Sequence, residues 1–122
     1  MRLRSLAIEL SRLQIVNEHK LDLEQYQTEG ELAARWISDI LAFNDIFDGC
    51  RVADLGAGNG ILGIGAVLTG AESSGLFEID EELCSICKKN VRLLSLQDKV
   101  TVSQSKIGKD EISTSDFDLV IT

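Results

Sequence analysis

Nine residues in the middle of the chain have the types and spacing to do chemistry. Val52-Ala-Asp54-Leu-Gly56-Ala-Gly58-Asn-Gly60 sets three glycines at alternate positions behind a carboxylate. Glycine has no Cβ, so such a loop lets backbone approach a ligand closely. A helix starting just after it, at Ile61, would aim unpaired N–H groups at the same place. A second acid, Glu78, lies near the end of the next apolar run, Gly75-Leu-Phe-Glu-Ile79. The plain structural reading of the glycines is a tight turn between a strand and a helix.

Two ligand chemistries compete with that reading. Gly58-Asn-Gly60-Ile-Leu-Gly63 satisfies G-x-G-x-x-G, the dinucleotide fingerprint. It requires the preceding strand to reach Ala57 through Gly56, and it leaves Asp54 near a pyrophosphate, where a carboxylate repels. The other pattern is D-x-G-x-G-x-G, with Asp54 closing the strand. That suits S-adenosylmethionine, which has no phosphate and carries a cationic sulfonium and an amino group. Asp54 then helps, directly or through water. Glu78 can accept both ribose hydroxyls in either cofactor and does not discriminate. The sign of Asp54 does, and it favours the methionine cofactor.

The elements that must position these groups follow from periodicity. Residues 3–16 read as an amphipathic helix, with Leu3, Leu6, Ala7, Leu10 and Leu13 on one face. Residues 17–28 read as a connector. Thr28 then reads as an N-cap, with Glu31 completing a capping box, for a helix to about Phe43 that buries Leu32, Ala33, Trp36, Ile37, Ile40 and Leu41. Arg51–Leu55 is a buried strand, Ile61–Leu68 a helix stopped by Gly70, and Gly75–Ile79 a second strand. Glu81–Leu94 is a helix whose charges match its macrodipole. Lys99–Ser103 and Phe117–Ile121 are further strands, with a polar connector from Asp110 to Asp116 between them. Alternating strands and helices predict an α/β fold with a parallel sheet and helices on both faces.

Composition narrows the function classes. The chain has 122 residues, enough for one domain at most. Twelve Lys and Arg against twenty Asp and Glu give a net charge of −8, which argues against a free-standing nucleic-acid binder. Residues 1–20 nevertheless hold Arg2, Arg4, Arg12 and Lys20 against only Glu9 and Glu18, which reads first as a solvated helix face. No run of about 18 apolar residues is present, so no membrane-spanning helix is expected. Cys84 and Cys87 form a C-x-x-C in a helical segment, on one face. No second pair and no nearby histidine completes a metal site, so they read as ordinary helix thiols. Reduced thiols and the lack of a secretory signal point to the cytoplasm.

These pieces together resemble a known family. The chain looks like the front part of a class I S-adenosylmethionine-dependent methyltransferase with a Rossmann-like fold. More narrowly, it resembles the archaeal and eukaryotic ribosomal-RNA adenine-N6 methyltransferases, the methyltransferase-like five group. The matching segments are LQIV in the N-terminal helix, Leu23-Glu-Gln25-Tyr26-Gln-Thr28, VADLGAGNGILGIGA, FEIDEEL and Phe117-Asp-Leu-Val-Ile121. The glycine motif is common to the superfamily, whereas the LEQY-x-T block is more selective. The resemblance covers the whole chain as a single, incomplete domain, with residues 1–28 as N-terminal helix and connector.

The resemblance implies a sheet order of 3-2-1-4 for the four strands present, out of the usual seven. It implies that Gln25 and Thr28 approach the cofactor, that Gly56, Asn59 and Ile61 line its methionine end, and that Glu78 holds the ribose. With Asp54, Gly58 and Gly60, these are the candidate cofactor-binding residues. The implied activity is methyl transfer from S-adenosylmethionine to an adenine N6 in RNA, with a flipped-out base attacking the methyl carbon. Implied partners are ribosomal RNA and a small zinc-binding activator subunit that completes the RNA surface.

Three departures accompany the resemblance. Gln27 stands where the family commonly has proline. Ser105-Lys106 stands where it usually places an aspartate near the adenine. The family's catalytic Asn-Pro-Pro-Phe would begin where the sequence stops, at Thr122. No catalytic residue is therefore nominated, and the 122 residues alone are expected to be inactive. An uncovered fourth strand is expected to favour self-association. Two other readings stay open: a methyltransferase of the same fold acting on a protein or small molecule, and a non-catalytic cofactor-binding or assembly module.

Overall fold

The computed structural model describes residues 3–13, 23–42, 46–106 and 116–121, with side chains described for 30–39 of the second segment. Its elements run α1 (Leu3–Ser11), α2 (Leu23–Ala42), β1 (Arg51–Leu55), α3 (Ile61–Leu68), β2 (Ser73–Glu78), α4 (Glu81–Leu93), β3 (Val100–Gln104) and β4 (Leu119–Ile121). The four strands form one parallel sheet in the order β3-β2-β1-β4, as expected.

The core lies between the sheet and the helices packed on it. Leu6, Leu10, Ile37, Val52, Ile64 and Leu76 are among its fully buried side chains. Their burial supplies the apolar driving force that positions the loops. The order reverses at β1, whose neighbours β2 and β4 are reached by opposite crossovers. In parallel α/β sheets, ligands bind beyond the carboxyl ends of strands at such a reversal. The parallel register pairs Asp54 with Leu76 and Leu55 with Phe77, so β1 and β2 end side by side. This brings the glycine loop next to Glu78.

The N-terminal helices differ from their expected extents. α1 ends at Ser11 rather than residue 16. Its last turn tightens, with the Arg12 and Leu13 amides bonding the Glu9 and Leu10 carbonyls at 3.2 Å. The Ser11 hydroxyl also donates to the Ala7 carbonyl at 2.7 Å. α2 starts at Leu23, so Thr28 sits inside a helix rather than at its cap, and the connector read over 17–28 is helical from residue 23.

The buried face of α2 is also rotated from the expected one. Gly30, Ala33, Ala34 and Ile37 point inward, while Leu32 and Trp36 are 54% and 52% exposed. The cause is close packing against α1. A Cβ at Gly30 would collide with the Ser11 hydroxyl and come within 2.8 Å of the Ala7 carbonyl oxygen. Glycine at this position admits that approach, so the face carrying Gly30, Ala33, Ala34 and Ile37 turns inward and Leu32 and Trp36 turn outward. Leu32 and Trp36 then line an apolar groove of about 250 Å³ with Ala33, Ile61 and Leu62. Ile40 and Leu41, also expected to be buried, lie outside the described side chains.

Smaller shifts affect the strands. β2 begins at Ser73 and ends at Glu78, leaving Ile79 54% exposed. β4 begins at Leu119, because Asp118 turns to Arg51: its carboxylate accepts the Arg51 amide at 2.9 Å and Arg51 Nε at 3.3 Å. Phe117, just before it, meets Phe77 edge-on with ring centroids 5.8 Å apart. In the described sheet β4 is an edge strand with Val120 exposed, the position on which the expectation of self-pairing is built. Among the described residues, no helix is long and apolar enough to cross a membrane.

Candidate functional site

β1 stops at Leu55, and Gly56 already has a φ of +74°. The strand therefore does not extend to Ala57, as the dinucleotide fingerprint required. Asp54 is near the end of β1, one residue before Leu55, in keeping with the D-x-G-x-G-x-G reading.

The loop glycines divide into two kinds. A Cβ on Gly56 or Gly58 would meet nothing within 4 Å, and both have positive φ. At Gly60 a Cβ would lie 2.9 Å from Leu76 Cδ1, and at Gly63 it would collide with Leu76 Cδ2. The first pair leaves backbone open on the outer side of the loop. The second lets α3 and the loop settle onto the sheet.

The loop's own hydrogen bonds decide which ligand suits it. The Gly56 and Ala57 amides both donate to the Phe77 carbonyl, at 2.8 and 3.1 Å. The Gly58 amide donates to Glu78 Oε1 at 2.9 Å, and the Gly60 amide to the Ala57 carbonyl at 2.9 Å. Asn59 Oδ1 accepts the Ile61 amide at 3.2 Å, and Asp54 Oδ2 accepts the Gly63 amide at 3.1 Å. The sequence reading expected the N-terminus of α3 to aim free amides at a ligand. Instead, two of its first three amides are occupied by the protein's own acceptors. A phosphate cradle needs those donors; this loop has spent them.

The two carboxylates beside the loop are both buried. Asp54 is 3% exposed and Glu78 7%. Burial pushes the Asp54 carboxyl up to about 6; the Gly63 hydrogen bond opposes the rise, and the nearby Glu78 charge adds to it. Glu78 Oε2 also accepts the Asp80 amide at 3.0 Å, so each of its oxygens holds one backbone N–H. A carboxylate offers about four acceptor positions, so further hydrogen bonds remain open to it. The Ser105 amide donates to the Glu78 carbonyl at 2.9 Å, placing the Ser105-Lys106 segment at the same corner.

The expected site residues thus fall into two groups. Asp54, Gly56, Gly58, Asn59, Gly60, Ile61 and Glu78 come together at the carboxyl ends of β1 and β2. Gln25 and Thr28 lie in α2, with side chains outside the described residues. Sequence reasoning missed the contribution of α4. The Cys87 thiol donates to the Gly58 carbonyl and the Asn90 amide to the Asn59 carbonyl, both at 2.9 Å. Cys84 and Cys87 are free, buried thiols, and Cys84 donates to the Glu78 carbonyl at 3.2 Å. A signal for Asn90 was present: it is a polar residue of poor helix propensity on the buried side of α4.

The chain is similar to known methyltransferases. The profile of the family described as ribosomal protein L11 methyltransferase (PrmA) matches residues 28–122. The zebrafish (Danio rerio) rRNA N(6)-adenosine-methyltransferase METTL5 is 34% identical over 123 aligned positions, covering 99% of this chain and 58% of that protein. The crystal structure of the Pyrococcus horikoshii protein PH1948 superposes with a TM-score of 0.73 at 34% identity, over 92% of this chain and 54% of that one. An RNA methyltransferase from Salinibacter ruber, solved in complex with S-adenosyl-L-homocysteine, shares the fold with a TM-score of 0.63 at 24% identity, over 70% of this chain and 55% of that one. The chain spans about half the length of these relatives.

Proposed function

The chain belongs to the class I S-adenosylmethionine-dependent methyltransferases, in the family of the ribosomal protein L11 methyltransferase PrmA, and we propose that its glycine loop holds S-adenosylmethionine between Asp54 and Glu78. The observation that carries this reading is the combination of two buried carboxylates with a loop whose amides are already bonded. Such a site repels phosphate and attracts cations. The cofactor brings a sulfonium, an amino group and two ribose hydroxyls, all of which a carboxylate can stabilise or accept. Bound there, it supplies an activated methyl group.

In this reading Glu78 accepts the ribose hydroxyls while keeping the Gly58 amide. Asp54 sets a negative potential at the methionine end. Gly56 and Gly58 give close backbone approach, and Asn59 fixes the first turn of α3. Gln25 and Thr28 are proposed to close the site from α2. Calorimetric titration with S-adenosylhomocysteine and with NADH tests it: binding of the first and not the second is expected, and the reverse would overturn it.

We propose adenine N6 in ribosomal RNA as the methyl acceptor of the whole protein. The support is the nearly complete coverage of this chain by the zebrafish rRNA methyltransferase. The net charge of −8 does not suit RNA binding unaided, so a partner subunit that completes the RNA surface belongs to this proposal. A second reading, methylation of a ribosomal protein, draws on the PrmA family profile. Transfer of labelled methyl groups by the whole protein to rRNA or to ribosomal protein L11, supplied in parallel, separates the two.

A further inference from the structure

The inner face of α4 is built around the glycine loop in a way the cofactor reading does not require. Cys87 and Asn90 lie three residues apart, and so on one face of the helix. Both are fully buried. They donate to two successive loop carbonyls, Gly58 and Asn59, each at 2.9 Å. Residue Gly58 is thereby held at both of its backbone groups, its N–H on Glu78 Oε1 and its C=O on the Cys87 thiol.

We propose that Asn90 and Cys87 are positioning residues for the cofactor. They draw the carbonyls of residues 58 and 59 into the interior, which fixes the open outer face of the loop and the orientation of the Glu78 carboxylate. This rests on the reading of the loop as the S-adenosylmethionine site. Without the two donors, both carbonyls would lose these hydrogen bonds at a partly buried corner beside Asp54 and Glu78, a loss that folded proteins avoid. The loop would then turn those carbonyls outward, into the space the ligand needs. The thiol is suited to this work. Burial, together with the nearby Cys84, Asp54 and Glu78, pushes it up to about 12, so it keeps its proton and remains a donor at neutral pH.

Asn90→Asp supplies the test, because aspartate has nearly the shape of asparagine. A protonated carboxyl can still donate to the Asn59 carbonyl, whereas an ionised one repels it. S-adenosylhomocysteine is titrated calorimetrically into the unmodified protein, Asn90→Asp and Asn90→Leu from pH 5 to 8, with thermal melts alongside. Exchange of the Gly58 amide is followed by NMR without ligand. At pH 8, Asn90→Asp should bind at least tenfold more weakly than the unmodified protein and exchange its Gly58 amide faster. Both differences should close as the pH falls, whereas Asn90→Leu should stay weak throughout. A deficit in Asn90→Asp that does not change with pH overturns the proposal. So does binding within twofold of the unmodified protein at every pH, with unchanged Gly58 exchange. Should Asn90→Leu fail to fold, the pH response of Asn90→Asp decides alone. Failure of the unmodified protein to bind S-adenosylhomocysteine overturns the cofactor reading instead, and the Gly58 exchange rates still score the hold of α4 on the loop.

Discussion

Asp54 Oδ2 accepts the amide of Gly63 at 3.1 Å, joining the end of β1 to the first turn of α3. The carboxylate expected to face a ligand is thus turned partly into the protein. It meets one of the donors that would otherwise attract an anion there. This one contact caps a helix and makes the loop unsuitable for phosphate. It also places a carboxyl where burial raises its affinity for a proton.

A pH dependence of stability follows. Burial pushes the folded carboxyl up to about 6, above the ordinary aspartate value of 3.8. Between those values the folded state binds more protons than the unfolded one, so stability falls as pH rises from about 4 to 6 and levels off above. Two units correspond to at most about 3 kcal/mol. Denaturant unfolding across that range should show the slope, and Asp54→Asn should abolish this part of it. An unchanged slope in the variant would refute the assignment.

Cofactor affinity should move the opposite way. A cationic ligand gains from Asp54 only when the carboxyl is ionised, so affinity for S-adenosylmethionine should rise as pH increases from 5 to 7. In Asp54→Asn that rise should vanish, leaving the affinity low and nearly flat. Equal pH profiles for the two proteins would remove Asp54 from the binding site.

Glu78 should matter strongly for cofactor affinity. It holds the Gly58 and Asp80 amides and, in the proposed function, the ribose. Losing a charged acceptor costs about 1.5–3 kcal/mol, roughly ten- to a hundredfold in affinity. Glu78→Gln keeps one acceptor oxygen and should fall at the mild end of that range, and Glu78→Ala at the severe end. Unchanged S-adenosylhomocysteine affinity in Glu78→Ala would disprove the role.

Much of this was legible in the sequence because local signals and the global fold agree. The Asp54-to-Gly60 pattern and Glu78 come together in the fold, the alternation of elements predicted the parallel sheet, and the family resemblance implied its strand order. What could not be read depends on contacts between distant segments. Gly30 looks like a helix flaw until α1 is seen against it, and that packing turns Trp36 outward. The start of α2 was hidden because Thr28 and Glu31 read as a good capping box, and a cap signal does not fix a boundary when the helix runs straight through it. Asn90 stood out as a polar residue in a helix, but its role could not be read, since its partner is 31 residues earlier in the chain.

Ser74 and Gly63 meet where α3 crosses the sheet. Among the described residues, Ser74 Oγ is a buried polar atom with no hydrogen-bond partner. It lies 2.8 Å from where a Gly63 Cβ would be, with Asp54 Cβ 3.3 Å away on another side. An unbonded hydroxyl costs about 1–3 kcal/mol on burial, so Ser74→Ala should be neutral or stabilising by about 1 kcal/mol. Gly63→Ala gains about 1 kcal/mol in helix propensity. It also forces a methyl against Leu76, which is fully buried and has little room to yield. Overpacking of about 1–3 kcal/mol therefore dominates, and Gly63→Ala should destabilise. Because Ser74 Oγ is part of the obstruction, the double variant should lose less than the sum of the single changes. Denaturant midpoints of the four proteins in the cycle measure this. Strict additivity would show that the Gly63 approach is limited by Leu76 and Asp54 rather than by the serine.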